Sequence, residues 1–301
     1  MELRHIRYFL AVAEEMNFTR AAEKLCIAQP PLSRQIKELE EELGVSLFIR
    51  KPHALQLTEE GQMFRQYAMR VVDLVNRSAE DVREMKTGLH GTIYLASVEG
   101  HAPTLFSEWI AGFHQDHPHV CYNLWNGNSD DVINRLMKGL CELAIIMEPH
   151  NAEGVNAIPV YSEPWIAMFP QACPLAKEPG DTIDFQKLAD YDLIIPSRES
   201  RLQEITDWLG CPGRELKIRC RLAHMLNAYE LTRQNVGITL YPASANIGTD
   251  SSVCIKRLVN PEVTASYVLI WSKNHHLSHA AAEFLEYIKT LYTDNERYLD
   301  V

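Results

Sequence analysis

Residues 18–40 read FTRAAEKLCIAQPPLSRQIKELE, and this stretch predicts two helices joined by a tight turn. In its second half an apolar residue recurs at helical intervals, so one stripe of the second helix packs inward. The positions of this stripe are Leu32, Ile36, Leu39 and Leu43. Pro30 and Pro31 mark the start of that helix, because the amide hydrogens that proline lacks have no intrahelical partner in the first turn.

The opposite face of the second helix is polar and basic. A helix that enters the major groove of DNA by its amino-terminal end brings polar side chains to base edges and points its free amide hydrogens at phosphates. The candidates for these contacts are Gln29, Pro30, Pro31, Ser33, Arg34 and Lys37. An ordinary amphipathic surface helix is the alternative, because short motifs of this type also arise without the function.

The segments on either side extend the pattern. Upstream, a further helical stripe comprises Ile6, Phe9, Leu10 and Ala13. Asn17 or Thr19 caps the next helix, in which Cys26 is a small core residue. Thr19 and Arg20, at the start of that helix, join the candidate DNA contacts. Downstream, residues 44–58 predict a short hairpin with cations at its tip, whose Arg50 or His53 probes the minor groove.

At this point the residues resemble those of a known family, the LysR-type transcriptional regulators. The matching segments are LRH at 3–5, FTRAA at 18–22, QPPLSRQI at 29–36, LE at 39–40, Gly44, LF at 47–48 and LTEEG at 57–61. Within the family, the chain is most similar to regulators of aromatic-compound breakdown that answer to benzoate or muconate. The match is specific over about the first sixty residues and loose beyond them. It implies a winged helix-turn-helix and an effector domain like the periplasmic solute-binding proteins.

Composition agrees with a multidomain regulator. The 301 residues, 46% of them hydrophobic, can bury two or three cores. The sequence shows no long apolar run and no signal peptide, which predicts a cytoplasmic protein without a membrane partner. A net charge of −11 argues against coating nucleic acid by bulk electrostatics, so a local set of cations must bind the phosphates.

Residues 59–87 predict one long helix that links the two parts of the chain. Its apolar positions alternate by threes and fours between charges, which is typical of a seam that pairs with another helix. These positions are Phe64, Ala68, Val71, Val75, Ala79 and Val82. A helix packed on its own domain is the alternative. The resemblance favours an antiparallel pair, hence a homodimer and a homotetramer on a near-palindromic operator, with RNA polymerase as a possible further partner.

The predicted domain order is a winged helix-turn-helix at 1–58, the linker helix at 59–87 and a glycine hinge at 88–91. Beyond the hinge, strands and helices alternate in a βαβ rhythm, which predicts mostly parallel sheets covered by helices. The resemblance divides this region into subdomain I (92–161 and 266–301) and subdomain II (162–265). Two crossings of the chain between them predict a cleft.

Ligands of such sheets collect at the carboxyl ends of strands, where loops and helix starts offer amide hydrogens. The candidate effector-binding residues at these positions are Glu99, Gly100, His101, Asn128, Ser129, Met147, Ser197, Arg198, His224 and Met225. Serine hydroxyls here can donate to a carboxylate, and Arg198 can pair with one bidentately. For each residue taken alone, a helix cap or a solvated loop is the alternative.

One position departs from the pattern of the resembled regulators. Met147 stands where the muconate- and benzoate-type proteins carry a cation, and Glu99 and Glu148 make the region more acidic. We therefore expect an effector less anionic than muconate, or one that carries an amine or a polar neutral group.

Other functions have weaker support in the sequence. Cys211 and Cys220 have a spacing similar to that of peroxide-sensing LysR-type proteins, so a thiol-based redox sensor is an alternative. A two-lobed α/β enzyme is another, but the chain lacks a nucleophile elbow, a phosphate loop and an HExxH motif. A passive DNA-bending protein is a third. The histidine clusters at 114–119 and 275–279 do not have a convincing metal-ligand pattern, so no metal or cofactor is predicted.

Overall fold

The computed structural model describes residues 1–51, 54–87, 89–149, 153–208, 216–223, 225–245 and 252–293. The spatial proximity of Cα atoms divides the chain into two compact units, Met1–Gly91 and Thr92–Val301. In the first unit the elements are α1 (Leu3–Glu15), α2 (Phe18–Lys24), α3 (Gln29–Leu43), β1 (Phe48–Lys51), β2 (Ala54–Leu57) and α4 (Glu59–Thr87).

Three short helices form the core of the first unit, as the sequence predicts. α3 starts at Gln29 with both prolines in its first turn. Its inward stripe consists of Leu32, Ile36 and Leu39, which are fully buried. Leu43 was expected in this stripe but is exposed, because α3 ends there and Gly44 turns the chain away with a φ of 71°.

The two ends of α2 settle one alternative and correct one prediction. Asn17, and not Thr19, caps α2: its Oδ1 accepts from the amides of Thr19 at 2.8 Å and Arg20 at 3.1 Å. Cys26 was expected in the core of the second helix. It is exposed instead, because α2 ends at Lys24 and Cys26 takes the left-handed conformation that reverses the chain, with a φ of 54°.

A two-stranded wing follows α3, with Phe48 paired to Leu57 and Lys51 to Ala54. The wing leads into α4 through Thr58, whose hydroxyl donates to the Ser46 carbonyl and accepts from the Gly61 amide, both at 2.8 Å.

The long helix α4 has two apolar faces where the sequence predicted one seam. Phe64, Ala68 and Val72 pack on the core of their own unit. Another stripe, at neighbouring helical positions, is exposed: Met63, Tyr67, Val71 and Leu74. The predicted seam therefore mixed positions of both faces, since the two stripes adjoin on the helix surface. The side chains of Ala79 and Val82 lie outside the described set.

The second unit is an α/β domain of two lobes. Its strands are β3 (Gly91–Ser97), β4 (Val120–Asn126), β5 (Leu143–Met147), β6 (Val155–Pro170), β7 (Thr182–Asp184), β8 (Leu193–Pro196), β9 (Ile218–Leu222), β10 (Ile238–Pro242), β11 (Val253–Val259) and β12 (Thr264–Ser272). Its helices are α5 (Ala102–Asp116), α6 (Ser129–Met137), α7 (Glu199–Asp207), α8 (Met225–Arg233) and α9 (His279–Thr293). Short 3₁₀ helices lie at Pro174–Lys177, Phe185–Leu188 and Ala243–Ala245.

The strand β6 belongs to both lobes. Its first part pairs with β12 in the first lobe, where the strand order is β4-β3-β5-β12-β6. From Trp165 onward it pairs with β10 and β11 in the second lobe, where the order continues β6-β10-β8-β9 and β11 also pairs with β7. The lobes are thus joined through one continuous strand.

The sheets are mixed, whereas the sequence predicted mostly parallel ones. The pairs β3–β5, β8–β9 and β8–β10 are parallel. β6 runs antiparallel to β10, and β12 runs antiparallel to β5 and to the first part of β6. Sequence reasoning missed β7, β11 and the first part of β6. Pro159 and Pro164 interrupt the last of these, and a proline in an apolar run argues against a strand.

Among the described helices, none combines the length and the apolar content that a membrane span requires.

Candidate functional sites

The first candidate site is the exposed face of α2 and α3. Thr19 and Arg20 lie exposed in the first turn of α2, and Gln29, Pro30 and Pro31 lie exposed in the first turn of α3. Since the apolar stripe of α3 is fully buried, the residues of its first turn are held at fixed positions on the surface. Ser33 is half-buried.

The cations of α3 are held only by weak pairs. The Arg34 side chain is 81% exposed, and its Nε lies 2.9 Å from Glu38 Oε1. Lys37 Nζ lies 3.3 Å from Glu41 Oε1. Exposed pairs of this type contribute about 0.3–0.5 kcal/mol each, so a phosphate or a base edge can replace them at little cost. The Arg50 side chain and the whole of His53 lie outside the described set, so their predicted contacts remain predictions.

The second candidate site is a cleft between the two lobes of the second unit. It lies where β3, β5, β8 and β10 end and where α6, α7 and α8 begin. The space between its lining atoms is about 600 Å³, part of it open to solvent. The predicted residues that line it are Glu99, Asn128, Ser129, Met147, Ser197, Arg198 and Met225. The structure thus brings together most of the residues chosen from the strand ends.

Arg198 connects the two lobes at the rim of the cleft. Its Nε and Nη2 donate to the two carboxylate oxygens of Asp130 at 3.2 and 2.8 Å, and its Nη1 donates to the carbonyl oxygen of Pro149 at 3.1 Å. The Arg198 side chain is 13% exposed, whereas that of Asp130 is 63% exposed. The sequence predicted Arg198 as a partner for a carboxylate, and in the structure that carboxylate comes from α6 of the same chain.

Sequence reasoning missed Arg201, which also lines the cleft. This residue is 5% exposed. Its Nη1 donates to Glu204 Oε2 at 2.6 Å, its Nη2 donates to the Glu148 carbonyl, and its guanidinium lies over the Trp165 ring, 5.7 Å from the centroid. Burial lowers the pKa of Arg201, although the neighbouring Glu204 carboxylate opposes the shift. The available signal was a second arginine one helical turn from Arg198, at a strand end.

Glu99, which follows β3 in the first lobe, makes a second contact across the cleft. Its Oε2 accepts from the amide of Met225 at 2.7 Å, at the amino-terminal end of α8. An anion is favoured at this end of a helix because free amide hydrogens and the helix dipole both point toward it. Burial, with a smaller contribution from the Glu99 charge, raises the pKa of Tyr241 on the same wall. The neutral Tyr241 hydroxyl donates to the Leu222 carbonyl at 3.0 Å.

Two further predicted residues use their polar groups within the first lobe. Asn128 caps α6, since its Oδ1 accepts from the Asp131 amide at 2.9 Å. The Ser129 hydroxyl lies 3.4 Å from both the amide nitrogen and the carbonyl oxygen of Met147. The Asn128 contact corresponds to the cap alternative that the sequence left open, whereas the Ser129 contact ties α6 to β5; both residues also line the cleft.

Gly100 and His101 do not line this cleft but border a buried network near the crossing of the lobes. The His101 amide donates to the Tyr267 hydroxyl at 3.3 Å, and its ring stacks on Tyr161 with centroids 3.7 Å apart. A Cβ on Gly100 would lie 2.3 Å from the Tyr267 hydroxyl oxygen, so only glycine fits there. Burial lowers the pKa of His101, while the charges of Glu163 and Glu108 oppose that shift.

The remaining candidates receive no support from the described residues. His224 and Cys211 lie outside the described set, and Cys220 is half-buried in β9. Within the described ranges, no group of histidine, cysteine and carboxylate side chains has an arrangement that could hold a metal ion.

The geometry therefore defines a class of protein: a helix-turn-helix unit with an exposed reading helix, and a separate two-lobed unit with a cleft for a small molecule. Comparison with known families agrees. Residues 3–62 match the model described as bacterial regulatory helix-turn-helix protein, lysR family, and residues 86–292 match the model of the LysR substrate binding domain. The chain belongs to the LysR family. It is a DNA-binding transcriptional regulator and not an enzyme.

The alignments with individual relatives cover either the whole chain or about half of it. A probable cat1 operon transcriptional activator of Acinetobacter lwoffii is 30% identical, over 100% of this chain and 99% of its own. The transcriptional regulator BenM of Acinetobacter baylyi is 40% identical over a stretch that covers 46% of this chain and 45% of BenM. The full-length crystal structure of BenM has a TM-score of 0.57 at 28% identity, and it covers 98% of this chain and 97% of BenM.

The fold also matches that of CbnR in a complex with its target DNA. That full-length structure has a TM-score of 0.77 and covers 96% of this chain and 99% of CbnR. Its sequence identity of 24% supports the shared fold alone.

Proposed function

We propose that α2 and α3 read a DNA operator and that the wing follows the backbone beside it. The observation that carries this proposal is the division of α3 into a fully buried apolar stripe and an exposed polar face with Gln29, Arg34 and Lys37. Arginine and glutamine side chains can pair bidentately with purine edges in the major groove, whereas a lysine contact to phosphate positions the protein without reading sequence. Because the chain has a net charge of −11, this local face must supply the affinity.

The exposed stripe of α4 supports a homodimer in which two such helices pair. Met63, Tyr67, Val71 and Leu74 lie at intervals of four, four and three residues, which keeps them on one exposed face of the helix. A dimer with two reading helices matches an operator with approximate two-fold symmetry. Pairing of dimers into a homotetramer and contact with RNA polymerase complete the proposal.

The ligand of the cleft is, in this proposal, a small metabolite with an apolar body that is less anionic than muconate. Met147 presents a thioether in the cleft, and Trp165, Leu222 and Val98 add further apolar surface. The aromatic-catabolism subtype is supported by similarity to BenM and to the cat1 activator. A ligand that binds one closure state of the lobes better than another can change DNA affinity by no more than that difference in affinity.

Selection of bound fragments from a random DNA pool by the full chain tests the proposed function. We expect one enriched, approximately two-fold symmetric sequence. Equal binding of selected and scrambled fragments, or no binding, would contradict a sequence-reading role.

The substitution Arg34→Ala then assigns the reading contact, with Lys37→Ala as a matched loss of charge on the same helix. Arg34→Ala should weaken binding to the selected sequence by about 1–3 kcal/mol and binding to scrambled DNA much less. Lys37→Ala should weaken both to a similar extent and reduce the salt dependence. Equal losses on both DNAs for Arg34→Ala would show that Arg34 contacts only phosphate.

A further inference from the structure

Two carboxylates of the chain itself occupy anion-binding positions, Glu99 inside the cleft and Asp130 at its rim. Glu99, which follows β3 in the first lobe, accepts from the Met225 amide at the start of α8 in the second lobe. Asp130, in α6 of the first lobe, accepts two hydrogen bonds from Arg198 in the second lobe. In both contacts a side chain of the first lobe brings the negative charge and the second lobe brings the donors.

Both positions would otherwise attract a carboxylate of a ligand. The start of α8 offers an amide hydrogen and the positive end of the helix dipole. Arg198 offers two N–H groups in the fork geometry that fits a carboxylate. A ligand with a carboxylate at either position would have to displace the resident side chain and would lie close to its charge.

Arg201 also holds a resident carboxylate, that of Glu204, but through one N–H group, so its guanidinium can bind a second anionic group. A guanidinium has five N–H donors. Its contacts among the described residues, to the Glu148 carbonyl and to Glu204, use two of them. Arg201 lines the cleft beside Trp165, so a carboxylate bound to it would bring the body of the ligand against an aromatic ring.

We infer, on the basis of the proposed function, that Glu99 and Asp130 determine the charge specificity of the cleft. They fill two anion-binding positions from within the chain. The cleft therefore selects a ligand with a single carboxylate, held by Arg201, and rejects a dicarboxylate. The contacts that set this specificity also join the two lobes before any ligand binds.

A matched pair of probes separates the two ligand classes. Sorbate (2,4-hexadienoate) and muconate (2,4-hexadienedioate) share the conjugated six-carbon chain and differ in one terminal group, a methyl against a carboxylate. We expect the full chain to bind sorbate about tenfold or more tightly than muconate in calorimetric titration, because a like-charge contact inside a partly dry cleft is costly.

Variants of the resident carboxylates should weaken or abolish this preference. Glu99→Gln keeps an oxygen that can accept from the Met225 amide and removes the charge, so the affinity for muconate relative to sorbate should rise about tenfold or more. Asp130→Asn should act in the same direction. Glu99→Asp should keep the wild-type preference for sorbate, and Arg201→Gln should lose sorbate binding. The control is Glu283→Gln, which changes an exposed carboxylate in α9 and should change the affinity for neither probe.

The inference is overturned if wild-type protein binds muconate as tightly as sorbate, or if Glu99→Gln leaves the ratio of the two affinities unchanged. It is also overturned if neither the wild type nor the Glu99→Gln variant binds sorbate or muconate. A thermal melt of each variant confirms that it is folded. The selection of an operator needs no ligand, so it succeeds or fails independently of these titrations.

Discussion

The Tyr267 hydroxyl donates to the Glu163 carboxylate at 2.5 Å and joins β12 to β6 close to the point where β6 passes from one lobe to the other. The backbone amide and the hydroxyl of Ser244, which follows β10, donate to the same carboxylate at 2.7 and 2.6 Å. Glu163 is 3% exposed, so these donors replace the water that the charge has lost.

Replacing Tyr267 with phenylalanine should therefore destabilise the second unit. The substitution removes one of the three donors from a buried carboxylate, at an expected cost of about 1–3 kcal/mol. Denaturant unfolding of the wild type and the variant measures the free energy of unfolding. Tyr161→Phe is the matched control, since it removes a hydroxyl from a half-buried tyrosine on the neighbouring strand. A loss as large for Tyr161→Phe would show that the Glu163 contact is not the cause.

His101 should make the stability of the second unit depend on pH. Burial lowers its pKa below the ordinary 6.5, so the native state favours the neutral ring and the unfolded chain binds the proton first on acidification. The stability that His101 contributes is thus present above the unfolded pKa and is lost as the pH falls through the folded pKa. Between about pH 8 and pH 5, wild-type protein should lose more unfolding free energy than His101→Gln.

His101→Phe provides the second arm of this experiment, because a phenyl ring keeps the stacking on Tyr161 and does not titrate. The Gln and Phe variants should share one pH slope and differ only by an offset. Parallel curves for wild type and both variants would rule out a contribution from His101 titration.

Gly61 should tolerate no side chain. A Cβ at this position would lie 2.1 Å from the carbonyl oxygen of Leu47 and 3.1 Å from a methyl carbon of Leu57. In an open helix, a change from glycine to alanine would stabilise by about 1 kcal/mol. Here we expect a destabilisation of about 1–3 kcal/mol in urea unfolding, and weaker DNA binding, because α4 must move away from the wing. Gln62→Ala, at the next, exposed position, should be nearly neutral; a stabilised Gly61→Ala protein would refute the close approach.

Leu74 should contribute to assembly rather than to the fold of one chain. It is 66% exposed on α4, so Leu74→Glu should leave the melting temperature of the monomer nearly unchanged. In a paired seam the new carboxylate would be buried without a partner, and the dimer should weaken by about tenfold or more in sedimentation experiments. Asn76→Glu adds the same charge at another exposed position of the helix. If both variants dimerise like wild type, α4 does not form the interface through this stripe.

Local sequence was sufficient for most of the helix-turn-helix. The stripe of Leu32, Ile36 and Leu39 and the two prolines predicted both the start and the inward face of α3, because helix periodicity and proline geometry act within a few residues. The prediction for Cys26 was wrong because α2 ends two residues before it. Cys26 takes a left-handed conformation there, and such a turn at a cysteine has no strong sequence signal.

In the second unit, the sequence predicted which strand ends would carry polar residues, and the structure shows that most of them meet at one cleft. It did not predict how they pair. Arg201 was not among the candidates, and only its burial against Trp165 makes it part of the cleft wall.

The sequence by itself thus indicated the family, through its resemblance to known motifs, and it determined the reading helix and the alternating order of strands and helices, since these two follow from local spacing. Only the tertiary structure decided that Asp130 would hold Arg198 and that Glu99 would cap α8. The partners in these contacts are 68 and 126 residues apart in the chain. No local preference relates such distant residues; the passage of β6 from one lobe to the other brings them together.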